Sequence, residues 1–346
     1  SPHSIPMKTI WKYLPWIISA VLCLAVAAAP FLAPYDPQLQ FRQFPLQAPA
    51  SIQFRDGKGE RSWRPHFRLE SSGPSLGPPQ GTPVAAIELW AESKPYRWMG
   101  LSWQTRLFGS RDPSLPVFLL GSDRLGRDVL SRLLYGSRFS LTIGLTAVIL
   151  SALLGVLFGS LSGYLAGWVD GLVMRITDLI FSLPSLFLVM GVRVLFPLEL
   201  SPSRAYWLIT LAYTLLGFTI FARVVRGQVL SLKTRDYALW AQACGASHWW
   251  VLRRHILPFT LNTVLVQSMV LLPAVVLGEV TLSFLGMGVQ PPAPSLGNLI
   301  AEGATIPVMT GAPWLLSPAV VLLLAVLCFN LLADRIKGVE KSRRIW

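Results

Sequence analysis

The residues of this chain that could do chemistry lack the spacing that catalysis needs. No G-x-x-x-x-G-K-[ST] phosphate-binding loop occurs, and Gly57-Lys58-Gly59 has none of its supporting features. Ser182 and Ser283 have no nearby base to activate them. The histidines form no H-E-x-x-H motif and no pair within an apolar run; they are His3, His66, His248 and His255. We therefore expect a chain that is not an enzyme, with no cofactor or metal of its own.

The composition indicates an integral membrane protein. Of the 346 residues, 53% are hydrophobic and only 14% are charged, whereas soluble domains carry about 25% charged residues. The net charge is +13, but the basic residues cluster at the ends of apolar runs, which follows the positive-inside rule rather than a phosphate-binding face. We expect no nucleic-acid partner. Cys23, Cys244 and Cys328 have no paired spacing that would predict a disulfide or a zinc site.

The apolar runs predict an all-α polytopic fold with six transmembrane helices. A bilayer core of about 30 Å needs roughly 20 apolar residues per helix. The third run contains Pro184, so its limits are the least defined. The first run ends in Ala27-Ala28-Ala29, which leaves a cleaved signal peptide as the rival to a retained anchor. The predicted spans are 14–33, 141–163, 179–195, 207–225, 264–285 and 314–332.

Basic residues set the orientation. Lys8 and Lys12 precede the first run, and further basic residues lie in 223–254 and 337–344, which predicts that both termini are cytoplasmic. Residues 34–118 are rich in Pro, Gly, Trp and Arg and predict a small extracytoplasmic insert of mixed or β character. The expected order is a cytoplasmic N-terminus 1–13, the first span 14–33, the insert 34–118, an interfacial helix 119–136, a core 137–335 with five spans and a cytoplasmic loop 236–258, and a cytoplasmic tail 336–346.

Charged residues concentrate just before the second span. Ser122 or Asp123 can cap a short helix there, and Asp128 stands four residues before Arg132 and could pair with it. An apolar stripe on the other face predicts a helix lying on the outer membrane surface. Two interpretations stay open: a structural ramp with surface ion pairs, or a contact with substrate or a delivering protein. The candidate residues are Asp123, Arg124, Arg127, Asp128 and Arg132.

A short charged connection separates the second and third spans. It contains Asp170, Arg175 and Asp178, and the last two are three residues apart, so they could pair on a helix. We interpret these charges as fixing a helix end.

The most polar stretch between the spans is the cytoplasmic segment 236–258, called the island below. Ala238, Ala241, Gly245 and Leu252 recur at helical steps, and small residues permit close approach of a partner. Gly245 is also a plausible helix end, because glycine adopts the left-handed conformation cheaply. The island therefore predicts a helical hairpin that docks a cytoplasmic partner. The alternative is an ordinary amphipathic connector with interfacial tryptophans.

The island resembles the EAA loop of ABC-importer permeases, whose pattern is E-A-A-x-x-x-G followed by I-x-L-P. With Gly245 aligned, Leu239 and Trp240 replace the acidic residue and the first alanine of the pattern, and Leu257-Pro258 falls at the expected distance. Three further segments resemble the dipeptide and oligopeptide branch of that family: 32–37, 120–132 and 283–298. The resemblance implies nothing about residues 39–117.

The resemblance implies one of two dissimilar permease subunits of an ATP-driven importer in the bacterial inner membrane. Its partners would be a second permease, two ATPase subunits holding ATP and Mg²⁺, an extracytoplasmic solute-binding protein and membrane lipid. The solute would be a dipeptide or oligopeptide, or alternatively a nickel chelate. The rivals are an ion-coupled secondary carrier and a membrane enzyme. The resemblance assigns ATPase coupling to Asp236, Tyr237, Ala241, Ala243, Gly245, Ala246, Ser247, Arg254, His255, Leu257 and Pro258.

Overall fold

The fold is that of a computed structural model that describes residues 7–55, 61–68, 84–110, 112, 114–197, 200–305 and 310–343. Two compact units divide the chain. One contains Ser1–Trp16, Thr142–Leu282 and Val326–Trp346, and the other contains Ile17–Leu141 and Ser283–Ala325. The expectations for residues 1–6 and 344–346 lie outside the described residues.

The fold is mostly helical. The helices are α1 (Met7–Ala27), α2 (Ala29–Leu32), α3 (Val129–Leu165), α4 (Gly167–Ser182), α5 (Ser185–Val194), α6 (Pro202–Leu232), α7 (Asp236–Ala243), α8 (His248–Val251), α9 (Leu257–Phe284), α10 (Leu296–Gly303) and α11 (Ser317–Arg343). A π-helical turn (Leu252–Ile256) joins α8 to α9, and a 3₁₀ turn (Pro313–Leu316) precedes α11.

The expectation of six spans is confirmed only in part. Within the described residues, four helical stretches are long and apolar enough to cross a membrane: Val129–Leu165, Pro202–Leu232, His248–Phe284 and Pro313–Ile336. A fifth is obtained if α4 and α5 form one broken span, since they meet at 89°. Pro184 explains the break, because proline disfavours helical conformation at the preceding residue and Leu183 is extended. In the part of the N-terminal region that the structure describes, the apolar helix is the shorter stretch Trp16–Ala27.

Three glycines bring α3 and α6 into close contact. Gly155, Gly159 and Gly163 recur every four residues along α3, and the main chain of α6 lies directly over them. A Cβ built on Gly159 would lie 2.5 Å from the Ala222 carbonyl oxygen, and one on Gly163 would lie 2.8 Å from that of Arg226. This is the small-residue packing by which membrane helices approach one another closely.

The second unit contains a small antiparallel sheet within residues 34–118, the segment for which the sequence predicts mixed or β character. Its strands are β1 (Ser51–Arg55), β2 (Arg61–Arg68), β3 (Val84–Trp98) and β4 (Leu101–Ser110), paired in sequence order. Phe67 and Ile87 of the sheet pack with Val117 and Phe118 in a buried cluster. The connection that follows the sheet is thereby anchored to it.

Residues 119–136 differ from the expected separate interfacial helix. Residues 119–128 form turns closed by a bridge between Ser122 and Asp128, and the helix begins only at Val129 and continues unbroken to Leu165. Asp128 caps it: its Oδ2 accepts a hydrogen bond of 2.7 Å from the Ser131 amide. Neither Ser122 nor Asp123 is the cap, because an acceptor immediately before the first helical turn satisfies the free amides best.

Candidate functional sites: the island and the outer charge network

The island folds as two short helices joined by a tight glycine turn. Gly245 has φ +85°, its amide donates to Gln242 O at 2.9 Å, and the Ala246 amide donates to Ala241 O at 3.0 Å. These paired hydrogen bonds form a Schellman motif, the usual helix ending that needs a left-handed residue. The prediction that Gly245 ends a helix is confirmed. Ser247 then begins α8, where its Oγ accepts from the Trp250 amide at 3.3 Å.

The Leu257-Pro258 pair shapes the exit from the island. Pro258 has no amide hydrogen, so it cannot donate to the carbonyl four residues earlier. Immediately before it, the Leu257 amide bonds to Leu252 O, which widens the helix into the π turn. The turn leaves Arg253 and Arg254 exposed and buries Ile256.

The prediction that Ala238, Ala241, Gly245 and Leu252 together face a partner is wrong for two of them. Ala238 is 0% exposed and Leu252 is 2% exposed, so both pack inside their own unit and are not open to a partner. Gly245 and Ala241 instead border an open concavity of about 450 Å³. Spacing alone places residues on one helical face but cannot say which face the rest of the chain covers. The concavity is lined by Ala241, Cys244, Gly245, Ala246, Ser247 and Trp250.

The assigned coupling residues are mostly at the surface. The exposed ones are Asp236, Tyr237, Ala243, Gly245, Ser247, Arg254 and Pro258, and the half-buried ones are Ala241, Ala246, His255 and Leu257. Large apolar side chains surround them: Trp240 is 71% and Trp249 is 60% exposed. Trp250 packs on His255 with ring centroids 4.9 Å apart. The island therefore presents an aromatic surface bordered by charge.

Hydrogen bonds tie the island to the end of α3. The Tyr164 hydroxyl accepts from Gln242 Nε2 at 3.0 Å and pairs with His248 Nδ1 at 3.0 Å. Just before the island, at the end of α6, Lys233 Nζ donates to the Gly163 carbonyl at 2.9 Å. One tyrosine therefore contacts both helices of the island and joins them to a long apolar helix.

The charges of the predicted connection between spans pair with α6. Asp170 accepts from Arg226 Nε and Nη2 at 2.5 and 2.6 Å. Asp178 pairs with Arg223 at 2.6 Å, not with Arg175 as the spacing suggested. These partners are distant in sequence and close only because α4 packs on α6, which local spacing cannot indicate.

The charged segment before α3, which the sequence predicts on the outer surface, forms a buried network that is called the outer network below. Asp123 Oδ2 accepts from Arg127 Nε at 2.6 Å and from Arg132 Nη1 at 2.5 Å. Glu302 of α10 accepts from both terminal nitrogens of Arg132, at 2.5 and 2.9 Å. The Arg132 side chain is 0% exposed and that of Asp123 is 2% exposed. Because neither charge is hydrated by water, each is stabilised by its ion pairs and hydrogen bonds within the network.

Two residues of this segment stand apart from the network. The expected Asp128–Arg132 pair is wrong, because Asp128 caps α3 while Arg132 turns to Asp123 and Glu302. Burial raises the pKa of Asp128 to about 7, although its hydrogen bonds from Ser131 oppose that shift. Arg124 lies at the surface and donates to Thr305 Oγ1 at 2.6 Å.

Sequence reasoning missed Glu302 and Glu279. Glu302 has no local signal, since its partner Arg132 is 170 residues away. Glu279 did have one: an acidic residue inside the predicted span 264–285, fully buried in α9, and ionisable groups within membrane helices are rare and functional. Among the described residues no group of three His, Cys, Asp or Glu could hold a metal ion.

Comparison with known proteins identifies the class. The chain belongs to the family of binding-protein-dependent transport system inner membrane components, whose pattern matches residues 155–344. It is therefore a multi-pass inner-membrane component of a transport system, a family of permeases rather than of enzymes. The resemblance found in the island extends to the particular branch, as the relatives show.

The relatives include permease proteins of dipeptide and oligopeptide transport systems. The oligopeptide transport system permease protein OppC of Bacillus subtilis is 36% identical over 234 residues, 67% of this chain and 74% of the relative. OppC of Salmonella typhimurium is 42% identical over 218 residues, 63% and 70% of the two chains. The di/tripeptide permease protein DppC of Pseudomonas aeruginosa is 29% identical over 343 residues, 96% and 90% of the two chains. The predicted membership of this branch is confirmed.

Proposed function

We propose that this chain is a transmembrane permease subunit of an ATP-driven importer of dipeptides or oligopeptides. Relatives named for these solutes support the substrate class. The observation that carries the proposal is the island, a preformed helix–turn–helix with an open aromatic surface next to Gly245. A second permease subunit would complete the pathway, and two ATPase subunits would hold ATP and Mg²⁺.

The proposed topology keeps six spans and cytoplasmic termini. The broken pair α4–α5 serves as one span, and the first span is the apolar helix that ends near Ala27. The sheet then belongs to an extracytoplasmic insert, and the island lies on the cytoplasmic side with Arg253 and Arg254, as the positive-inside rule requires. The order of insert, core, island and tail predicted from sequence is kept in this topology, with the turns 119–128 and the start of α3 at Val129 in place of the predicted interfacial helix 119–136.

Coupling is proposed to be rigid-body motion of the island. A partner ATPase would contact α8 and the concavity beside Gly245 and shift them as it closes. Tyr164 would carry this shift to α3, because its hydroxyl contacts both Gln242 and His248. Arg226 and Asp170 hold α6 to α4 in the same unit, so the motion would reach several helices together.

The pathway wall is proposed at the break between α4 and α5. A cavity of about 430 Å³ lies there, bordered by α6 and α9. Its lining is apolar, with few hydroxyls and no charged residue. Because precisely placed polar groups give a pocket its specificity, this wall would admit solutes of varied side chain. The lining includes Phe181, Pro184, Tyr213, Thr219, Leu271 and Val275.

The outer network is proposed to position the surface that meets the solute-binding protein. Asp123, Arg127, Arg132 and Glu302 fix the turn before α3 against α10, while Arg124 stays at the surface beside Thr305. The segment thus combines both sequence interpretations: a structural ramp, with an exposed edge available for contact.

Reconstitution tests the proposal. The chain is assembled with the second permease, the ATPases and the binding protein of neighbouring reading frames, and uptake of labelled dipeptides, oligopeptides and a nickel chelate is measured in proteoliposomes. We expect peptide uptake that needs both ATP and the binding protein. Uptake driven by an ion gradient without ATP would refute it, and uptake of the chelate alone would reassign the solute.

Tyr164→Phe tests the proposed coupling. It removes one hydroxyl and both of its hydrogen bonds but keeps the ring next to His248. We expect normal co-purification of the ATPases and a lower ratio of peptide transported to ATP hydrolysed. An unchanged ratio would show that the island acts on the pathway by another route.

A further inference from the structure

The β3–β4 hairpin carries an exposed apolar surface that lies outside the sites described above. We call it the aromatic tip and define it as Trp90, Trp98, Met99, Leu101 and Trp103. Met99 is 83% exposed, Trp90 is 64% and Leu101 is 63%. Met99 and Gly100 both have positive φ, at 52° and 84°, so the two strands turn tightly with the geometry that suits a two-residue hairpin loop. The tip is a defined structure rather than a loose loop.

The strand register puts the apolar side chains on one face. Trp98 pairs with Leu101 and Tyr96 with Trp103, while Arg97 pairs with Ser102. Because successive side chains point to opposite faces of a strand, Trp98, Leu101 and Trp103 share one face and Arg97 and Ser102 the other. The rings of Trp98 and Trp103 lie 5.3 Å apart. The end of the hairpin therefore has one apolar, aromatic face and one polar face.

The aromatic tip lies at the level where the first apolar helix ends. Trp98 Nε1 donates to the Ala27 carbonyl, the last residue of α1, at 2.9 Å. Phe31 stacks on Trp98, with centroids 6.0 Å apart and planes at 10°, and lies 5.5 Å from Trp90. Along α1 itself, Val21 is 58% and Leu24 is 68% exposed. The exposed apolar surface of the helix thus continues directly into the hairpin.

We propose that the aromatic tip inserts into the phospholipid headgroup–acyl boundary at the membrane surface where α1 ends. Tryptophan rings prefer this boundary because they combine an apolar body with one N–H donor. Arg97, on the opposite face, reaches the phosphate layer. Continuity with the apolar surface of α1 selects lipid as the occupant, since a protein covering the tip would also have to replace lipid along that helix. The hairpin anchors the insert and fixes its height above the bilayer.

Spin labels on the two faces test this insertion. In the full chain with Cys23, Cys244 and Cys328 replaced by serine, single cysteines are introduced as Met99→Cys, Leu101→Cys and, as the matched control, Ser102→Cys. The protein is placed in nanodiscs of phosphatidylethanolamine and phosphatidylglycerol, and collision with oxygen is compared with collision with a water-soluble nickel chelate. Met99→Cys and Leu101→Cys are expected to favour oxygen, and Ser102→Cys to favour nickel.

The other outcomes overturn the proposal in distinguishable ways. Preference for the nickel chelate at residues 99 and 101 would place the tip in water. Protection from both reagents would show that protein covers it. Because Met99 lies in the turn and is 83% exposed, its label keeps the test available even if Leu101→Cys disturbs the strand. Each variant must elute as a single folded species in size-exclusion chromatography.

Discussion

Substitutions at Gly245 can distinguish two requirements at the island turn: a left-handed backbone conformation and contact with a partner. A Cβ built at Gly245 meets no atom within 4 Å, so alanine causes no clash within the chain. Its φ of +85° makes any other residue strained, by about 1–2 kcal/mol for a left-handed L-residue. Asparagine and aspartate adopt this region several-fold more readily than other residues, so their cost is roughly 1 kcal/mol lower.

Gly245→Asp and Gly245→Asn therefore have nearly the same shape and backbone cost and differ in charge. If an ATPase subunit covers the concavity beside Gly245, the carboxylate becomes buried without a partner and costs about 3 kcal/mol. At about 1.4 kcal/mol per factor of ten, assembly weakens about 100-fold. We expect Gly245→Asp to insert normally into the membrane and to abolish transport, with Gly245→Asn and Gly245→Ala retaining most of it.

The assay titrates purified ATPase subunits onto the permease pair in nanodiscs and records binding and peptide-coupled ATP hydrolysis. Membrane abundance of each variant controls for insertion. The reasoning is refuted if Gly245→Asp recruits the ATPases as tightly as Gly245→Asn and couples them normally. Equal loss with all three substitutions would instead attribute the defect to the Schellman turn.

Three further changes test the packing around these sites. Glu302→Gln removes the charge that faces buried Arg132 and should lower the free energy of unfolding by about 1–3 kcal/mol. The loss is smaller than for a fully buried pair because Glu302 is 30% exposed. Thermal unfolding in detergent measures the change, and an unchanged midpoint contradicts it. Burial raises the pKa of Asp128 from 3.8 to about 7, so its contribution to stability is greatest below pH 3.8 and is lost as pH rises to 7. Asp128→Asn should therefore flatten the fall in the free energy of unfolding between pH 5 and 7. An identical pH dependence in the variant would show that Asp128 does not cause this fall. Gly159→Ala pushes a methyl group toward a backbone carbonyl and should destabilise by about 1–3 kcal/mol. Gly227→Ala is the control: its Cβ meets open space and alanine favours the helix, so it should not destabilise in the same unfolding assay.

The local features of the island could be predicted because short-range physics determines them. A glycine after a run of helical residues, and a proline soon afterwards, indicate the end of one helix and the disturbed start of the next. Gly245 and Pro258 take those roles in the Schellman motif and the π turn. Burial was not predictable in this way. Ala238 and Gly245 have similar spacing signals, yet only Gly245 is open to a partner.

Ion pairs were the least predictable feature, for a definite reason. Sequence spacing identifies neighbours three or four residues apart on one helix, which suggested Arg175–Asp178 and Asp128–Arg132. In the structure Asp178 pairs with Arg223, and Arg132 pairs with Asp123 and Glu302. A long side chain at a helix surface can reach an adjacent element as easily as its own next turn. The partner is therefore decided by helix packing, which no local pattern encodes.

The departures of the island from the EAA pattern acquire a physical meaning from their exposure. Leu239 is 49% and Trp240 is 71% exposed, so neither replaces the acidic and small residues of the pattern for the sake of internal packing. Together with Trp249 they add apolar area to a surface that a soluble monomer rarely leaves uncovered. Buried aromatic anchors dominate the energy of many protein interfaces, while exposed rim charges contribute little. Loss of the carboxylate is thus compatible with docking, because apolar area can supply the affinity and Arg253 and Arg254 remain exposed to set the orientation.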